Sequence, residues 1–135
     1  MGDQMAEYTI VNLLELDDSV GGRIEGLEGR FGREHLESRD LGVSHFRRAP
    51  GVRGRGHHHR EQEEVYVIVA GSGRVRLDDE IRDVKQWDTI RVAPEVVRAF
   101  EAGDEGLDMI AIGGPKPAGG DGELSDSPWP DEDGA

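Results

Sequence analysis

Residues 51–71 read GVRGRGHHHREQEEVYVIVAG, and this stretch decides the fold. Its second part, Glu64–Ala70, is rich in β-branched residues and predicts the strongest strand of the chain. Alternate side chains of a strand point to opposite faces, so one face carries Glu64, Tyr66 and Ile68 and the other carries only valines. Both faces are largely apolar and must be covered. One face can line a barrel. The other needs a second sheet, a terminal segment or a second subunit, and we predict a homodimer.

Short runs of the same kind continue on both sides of this stretch, with turn residues between them. Such a series of short antiparallel strands is typical of an all-β sandwich or barrel. The predicted strands are Tyr8–Leu14, Leu41–Arg48, Arg74–Leu77, Ile81–Val84, Thr89–Val92, Val97–Glu101 and Leu107–Ile112. The glycines at 71 and 73 predict a hairpin turn. Residues 24–36 have helix-like apolar spacing interrupted by glycines, which predicts a short N-terminal helix or a turn-rich segment.

The two ends of the chain differ in composition from its middle. We predict an N-terminal tail at 1–7, a barrel domain at 8–114, and an acidic tail rich in glycine and proline at 115–135. The C-terminal tail is expected to be disordered or draped over the barrel. Trp129 lies between two prolines and is either an anchor for the tail or a loosely packed aromatic residue.

Composition narrows the classes of function. The net charge is −13, which disfavours nucleic acid and anionic membranes as partners. The mean hydropathy is −0.62, no stretch approaches the length of a membrane span, and the acidic N-terminus does not resemble a secretory signal, so we expect a cytoplasmic protein. There is no cysteine, so any metal must be held by nitrogen and oxygen atoms.

A candidate metal site lies inside the opening stretch. His57 and His59 are two residues apart, so on a strand their side chains point the same way. If the chain turns after His59, the carboxylate of Glu64 returns to the same side. Two imidazoles and one carboxylate suit Fe(II), Mn, Zn or Ni and leave open positions on the ion. The alternative is that the three consecutive histidines form a solvated loop. His58, on the other face, is expected to face solvent.

The stretch also resembles the first sequence motif of the cupin superfamily. The motif positions are Gly51, His57, His59, Glu64 and Gly71. The resemblance extends over about residues 40–113 and implies a double-stranded β-helix, or jelly-roll barrel, of the small single-domain kind that is often dimeric. It also implies that His57, His59 and Glu64 ligate a divalent metal ion.

The second cupin motif is degenerate in this chain. It aligns with residues 87–102, where the pattern of strand, proline turn and strand survives. Trp87 and Glu95 occupy glycine positions, Ala102 replaces an asparagine, and Arg98 replaces the histidine that is the fourth ligand in cupins. A guanidinium has no acceptor atom and cannot bind a cation.

Arg98 is expected to point into the barrel and therefore to need an anion. It could pair with Glu64, with an anionic substrate, or with the acidic surface at the rim. Tyr66 lies on the face of Glu64 and either hydrogen-bonds a substrate or is a satisfied core tyrosine. His45 could supply a fourth ligand, although a satisfied strand histidine is the commoner outcome.

The sequence thus favours a metal-binding cupin that binds or acts on a small anionic organic molecule, with Arg98 and Tyr66 in the binding site. The alternative is a metal-free ligand-binding or sensing module with an Arg98–Glu64 salt bridge. The residues do not decide whether the protein is an enzyme, because cupin barrels host many unrelated reactions.

Overall fold

The fold consists mainly of strands in the computed structural model, which describes residues 7–125 and 129. One turn of 3-10 helix at Leu13–Glu15 and one turn of α-helix, α1 at Arg33–Leu36, are its described helices. The eight strands of the described part are β1 (Leu27–Phe31), β2 (Gly42–Arg48), β3 (Gly56–His59), β4 (Glu64–Leu77), β5 (Glu80–Lys85), β6 (Thr89–Val92), β7 (Arg98–Gly113) and β8 (Gly122–Ser125).

Two long antiparallel strands, β4 and β7, form the spine of the sheet. Their register runs from Glu64 opposite Gly113 to Leu77 opposite Arg98. In the half of the spine that contains Glu64 and Gly113, β7 pairs with β2, which pairs with β1, and β4 pairs with β6 on the opposite edge. In the half that contains Leu77 and Arg98, β7 pairs with β3, which pairs with β8, and β4 pairs with β5 on the opposite edge. The two halves curl towards each other, and the predicted all-β jelly-roll barrel is confirmed.

The core fills the space between the two halves. Its fully buried members are mostly β-branched, aromatic or small residues that alternate along β4 and β7 with outward-facing ones. They are Tyr66, Ile68, Val75, Val84, Val92, Phe100, Ala102, Leu107, Met109 and Ala111. The predicted alternation of faces in the strand at 64–70 is observed. Tyr66 and Ile68 are buried in the core, and the valines that alternate with them are half-buried on the other face.

The hairpin predicted at residues 71–73 is wrong, because β4 continues through these glycines. The register against β7 shifts there, as at a β-bulge. A Cβ atom at Gly71 would lie 2.1 Å from the carbonyl oxygen of Gly106, and one at Gly73 would lie 2.0 Å from that of Glu101. The glycines therefore serve a close approach of two backbones and not a reversal of the chain.

The N-terminal segment also differs from the prediction. Residues 8–14 form no strand. The segment 24–36, expected to hold a short helix or turns, begins with turns and ends with the short helix α1, but the strand β1 (Leu27–Phe31) lies between them. The carboxylate of Asp18 accepts hydrogen bonds from the backbone N–H groups of Val20, Gly21 and Gly29. This cap fastens the segment to the start of the sheet, which apolar periodicity alone does not reveal.

The described part of the C-terminal segment belongs to the sheet. Strand β8 pairs with β3 from Gly56 opposite Ser125 to His59 opposite Gly122. Beyond it, Trp129 is 3% exposed and donates its indole N–H to the carbonyl oxygen of Gly54 at 3.1 Å. The indole lies 5.5 Å from the guanidinium carbons of both Arg53 and Arg74. Trp129 is thus an anchor on the outer surface of the sheet.

Candidate metal centre

Strand β3 presents its histidines on two different faces. His57 and His59 point into the barrel, and their ring centroids are 5.3 Å apart. His58 points outward and contacts the carboxylate of Glu123 at 3.0 Å through Nε2. Residues 60–63 then turn the chain, and Glu64 begins β4 on the inner face. The alternation of a strand followed by one turn therefore brings two imidazoles and one carboxylate together.

The potential ligand atoms of these three residues lie within 4.8 Å of one another. Nε2 of His57 is 3.7 Å from Oε1 of Glu64, and Nε2 of His59 is 3.2 Å from the same oxygen. Donor atoms that bind one ion at about 2.0–2.2 Å must lie within roughly 4.4 Å of each other, so small side-chain adjustments suffice for coordination. The solvated-loop alternative does not describe these histidines.

Asp121, in the segment before β8, holds His59 in a defined orientation. Its Oδ1 lies 2.9 Å from Nδ1 of His59, and its Oδ2 accepts the backbone N–H groups of Glu61 at 2.6 Å and Gln62 at 2.9 Å. Burial raises the pKa of Asp121, but these bonds outweigh it and lower that pKa to about 2. An ionised carboxylate can only accept hydrogen bonds. Nδ1 of His59 therefore carries a hydrogen atom and donates the hydrogen bond to Asp121.

Nε2 of His59 is consequently the atom that faces the centre. It is buried and has no hydrogen-bond partner among the residues that the structure describes. It faces the Glu64 carboxylate, which is itself an acceptor, so a positive charge must lie between the two groups. Either a proton on Nε2 or a bound cation supplies it. The Glu64 carboxylate, whose Oε1 lies 3.2 Å from Nε2, raises the pKa of His59 despite burial, in line with the first of these states.

Glu64 collects donors from three sides. The Tyr66 hydroxyl donates to its Oε1, and Nη1 of Arg98 lies 3.5 Å from the same oxygen. Burial raises the pKa of Glu64, but the two neighbouring imidazoles of His57 and His59 and the hydrogen bond from Tyr66 outweigh it and hold that pKa well below its usual value. Burial and the neighbouring carboxylate both raise the pKa of Tyr66 well above its usual value, so its hydroxyl stays protonated.

Arg98 is fully buried, beside the centre. Its Nη2 donates to the carbonyl oxygen of Ala93 at 2.8 Å, and its Nε has no hydrogen-bond partner within the described part of the chain. The nearest carboxylate is that of Glu64, which is the first of the three partners that the sequence left open. A guanidinium cannot bind a cation, so the described residues offer three candidate ligands at this centre, which are His57, His59 and Glu64.

Two openings meet at this centre. A cavity of about 180 Å³ lies behind it, with Phe46, Tyr66, Phe100 and Met109 in its apolar wall. A wider cleft of about 620 Å³ lies in front of it, and Phe46, His57 and Glu64 border both spaces. The candidate ligands His57 and Glu64 therefore lie at the boundary between the outer cleft and the inner cavity.

His45 is not near the centre. In the pairing of β2 with β7 it lies opposite Ile110, on the face away from the buried Met109 and Ala111. There it is buried and hydrogen-bonds the carboxylate of Asp108. It is a satisfied strand histidine and not a substitute for the missing ligand. Trp87, which occupies a glycine position of the second motif, is 67% exposed.

The residues present fit a divalent cation with three protein ligands. The set of two imidazoles and one carboxylate is one that first-row transition metals accept, and the buried, unpartnered Nε2 of His59 is directed at the position of the ion. The carboxylate on the other ring nitrogen of His59 is the partner that metal-bound histidines usually have. Sequence reasoning missed Asp121, because it lies 62 residues from His59 in a segment expected to be a tail.

Comparison with known proteins gives the fold its name. No family model and no curated protein matches the sequence. KdgF from Halomonas sp. aligns with a TM-score of 0.67 and 18% identity over 80% of this chain and 93% of its own. A cupin protein from Bacteroides fragilis aligns with a TM-score of 0.66 and 20% identity over 97% of this chain and 98% of its own. Oxalate decarboxylase from Bacillus subtilis aligns with a TM-score of 0.69 and 21% identity over 86% of this chain and 32% of its own.

The protein therefore has the cupin fold, which is the fold that the resemblance of its first motif implied. Identities of 18–21% establish the fold and leave the reaction open. None of the helices in the described residues is long and apolar enough to cross a membrane.

Proposed function

We propose that this protein is a small metal-binding cupin that binds or acts on a small anionic organic molecule in its barrel. His57, His59 and Glu64 hold a divalent ion, which is Fe, Mn, Zn or Ni. The observation that carries the proposal is the convergence of their ligand atoms within 4.8 Å, with the His59 Nε2 atom buried and unpartnered among the described residues. Oxalate decarboxylase, whose name denotes an enzyme that acts on a small organic acid, has the same fold, which is consistent with the proposal.

The chain's own residues define what such a centre can do. Asp121 keeps the His59 ring fixed, and the apolar wall of the inner cavity excludes bulk water. Tyr66 and Arg98 line the same cavity and direct donor groups at Glu64, so we assign them to ligand binding. A bound ion would act as a Lewis acid towards a ligand oxygen.

Metal analysis of untagged protein tests the proposal. After reconstitution with Fe(II), Mn(II), Zn(II) or Ni(II) and removal of excess ion, one of these metals should remain at one ion per chain. His57→Ala and His59→Ala should abolish it, because two ligands cannot hold the ion. His58→Ala is the matched control, since this ring faces outward and contacts Glu123. Metal near zero with all four ions, or equal loss in the control, contradicts the proposal.

A second function is favoured by a specific contact. The 3.5 Å approach of Arg98 Nη1 to Glu64 Oε1, together with a protonated His59, would neutralise the carboxylate without a metal. The barrel would then be a metal-free module that binds or senses a small ligand. Arg98→Met separates the two functions, because it should strengthen metal binding in the first case and leave the protein metal-free in the second.

We also propose that two copies form a homodimer. The outer face of the sheet carries half-buried apolar side chains on three adjacent strands, at Val43, Val65, Val67, Ile110 and Ile112. The N-terminal segment adds Tyr8 and Ile10, which are 79% and 86% exposed. An apolar surface of this kind is typical of an interface. Sedimentation should give twice the 14.8 kDa mass of the chain, and Val67→Lys should give single chains.

A further inference from the structure

One positively charged side chain in the inner cavity has no counter-charge. Arg48 ends β2, and its guanidinium faces the cavity together with His57 and Glu64. The residue as a whole is half-buried, but its Nε and Nη1 atoms are inaccessible and have no hydrogen-bond partner in the described residues. Glu64, the one carboxylate of the cavity wall, is already engaged by Tyr66, His59 and Arg98.

Burying an unpaired guanidinium is costly, and the fold makes room for this one. Burial lowers the pKa of Arg48 to about 10, although the negative charge of Tyr66 in its ionised form would work against that shift. A Cβ atom at Gly54 would lie 2.8 Å from Nη2 of Arg48, so the glycine leaves space for the guanidinium. The guanidinium carbon lies 5.8 Å from the centroid of the Phe100 ring, a weak contact that does not replace a counter-ion.

The charge of the cavity is opposite to that of the protein. The net charge of the chain is −13, yet in the described part of the cavity wall Arg48 and Arg98 stand against the one carboxylate of Glu64. These two guanidiniums and one carboxylate leave an excess of one positive charge before any metal is bound. An acidic protein that encloses a basic, partly apolar cavity has a wall complementary to an organic anion.

We propose that Arg48 is the anion-binding residue of this cavity and that the ligand is a small organic carboxylate. Its carboxylate pairs with the guanidinium of Arg48 through two parallel hydrogen bonds, and its apolar part lies against Phe46, Phe100 and Met109. The volume of about 180 Å³ corresponds to roughly six water molecules, which limits the ligand to a few carbon atoms or one ring. This inference rests on the proposed function, and it names the substrate class of the same site.

Thermal unfolding in three carboxylate salts tests the inference. Acetate, malonate and benzoate, each titrated against sodium chloride at constant ionic strength, should include at least one that raises the unfolding temperature saturably. Arg48→Met should weaken that binding at least tenfold, and Arg48→Lys should weaken it less, because it keeps the charge without the planar fork. Arg47→Gln is the matched control, since Arg47 is the adjacent residue, points to the opposite face and pairs with Asp108. Benzamide should not bind.

Two further readouts keep the result unambiguous. In chloride alone, Arg48→Met should unfold at the same temperature as the wild type or higher, because an unpaired buried charge is removed. Its metal content should equal that of the wild type, so a failure of metal binding is distinguishable from a failure of anion binding. Absence of saturable stabilisation by all three carboxylates, or equal stabilisation of wild type and Arg48→Met, overturns the inference.

Discussion

Asp121 accepts three hydrogen bonds at the candidate centre, and each of them positions a ligand. One bond fixes the ring of His59, and the two from the backbone of Glu61 and Gln62 fix the turn that leads to Glu64. The carboxylate therefore acts on two of the three candidate ligands and is not itself one of them. It is a positioning residue, and its effect on metal affinity can be measured separately from the ligands themselves.

Asp121→Asn should weaken metal binding by about 10–100-fold, the range observed when a partner of a metal-bound histidine is lost. The amide keeps one acceptor oxygen but places an NH₂ group where a second acceptor is needed. Competition with a chromophoric chelator measures the change. The matched control is Glu123→Gln, which alters the comparable contact of His58 on the outer face. Equal affinities of Asp121→Asn and the wild type would contradict the positioning role.

Glu101 makes a pH-dependent contribution to stability, because Arg74 donates to it at 2.7 Å and Arg53 donates to its other oxygen. The bond from Arg74 is the main cause that lowers the pKa of Glu101 below its usual value of 4.5, although burial opposes it. Because the pKa is lower in the folded state, the ionised Glu101 stabilises the folded protein at pH values above its unfolded pKa of 4.5. This stabilisation is lost as the pH falls through the pKa of the folded state.

Glu101→Gln should therefore lower the free energy of unfolding by about 1–2 kcal/mol at pH 7, and the difference from the wild type should shrink below pH 4.5. Urea denaturation at several pH values measures it. Glu80→Gln is the control, because its pair with Arg82 is two-thirds exposed on both sides and should contribute little at any pH. A difference that is constant from pH 7 to pH 3 would rule out the assigned linkage.

At the scale of secondary structure, the spine of β4 and β7 depends on glycines that the sequence presents as a turn. Gly73 lies where a Cβ atom would overlap the carbonyl oxygen of Glu101, although its φ is not in the left-handed region. Gly51, a motif glycine, has a φ of +77° and open space around it. Substitutions at Gly73 and Gly51 therefore measure two different losses of stability. The first measures the effect of a steric clash, and the second measures the effect of a side chain on a left-handed backbone.

Gly73→Ala should destabilise the protein by about 3 kcal/mol or more, because two backbones of the spine must move apart. Gly51→Ala should cost only about 1–2 kcal/mol, the penalty of a left-handed residue without a clash. Chemical denaturation of both variants tests the ranking. If Gly51→Ala proved the more damaging, the close approach of β4 and β7 would not be the reason for the glycine.

The same elements show what the sequence could predict. The strand pattern predicted a sandwich or barrel, and the resemblance of the first motif implied the jelly-roll barrel. Strand alternation, with a turn after His59, predicted the convergence of His57, His59 and Glu64. The local sequence pattern did not reveal that β4 continues through Gly71 and Gly73 or that β8 pairs with β3. Both features depend on pairing with residues that are distant in the sequence. Arg48 and Asp121 were missed for a related reason: a charged residue in a strand or an acidic tail is usually at the surface.

At the scale of the whole molecule, the C-terminal segment connects the surface to the centre. Trp129 fastens it between Arg53 and Arg74, β8 adds it to the sheet beside β3, and Asp121 at its start orients His59. The barrel alone therefore does not contain the complete environment of the candidate ligands. The net charge of −13 is distributed around a cavity whose wall is basic, which suits a small anion held next to a cation.

Anomalous diffraction from crystals of the untagged, metal-reconstituted protein, recorded above and below the absorption edge of the bound metal, tests the central claim most directly. The account predicts one strong peak inside the barrel, about 2.0–2.3 Å from Nε2 of His57, Nε2 of His59 and an oxygen of Glu64. A barrel without any peak, in which Arg98 remains against Glu64, would contradict the claim and leave the metal-free ligand-binding module.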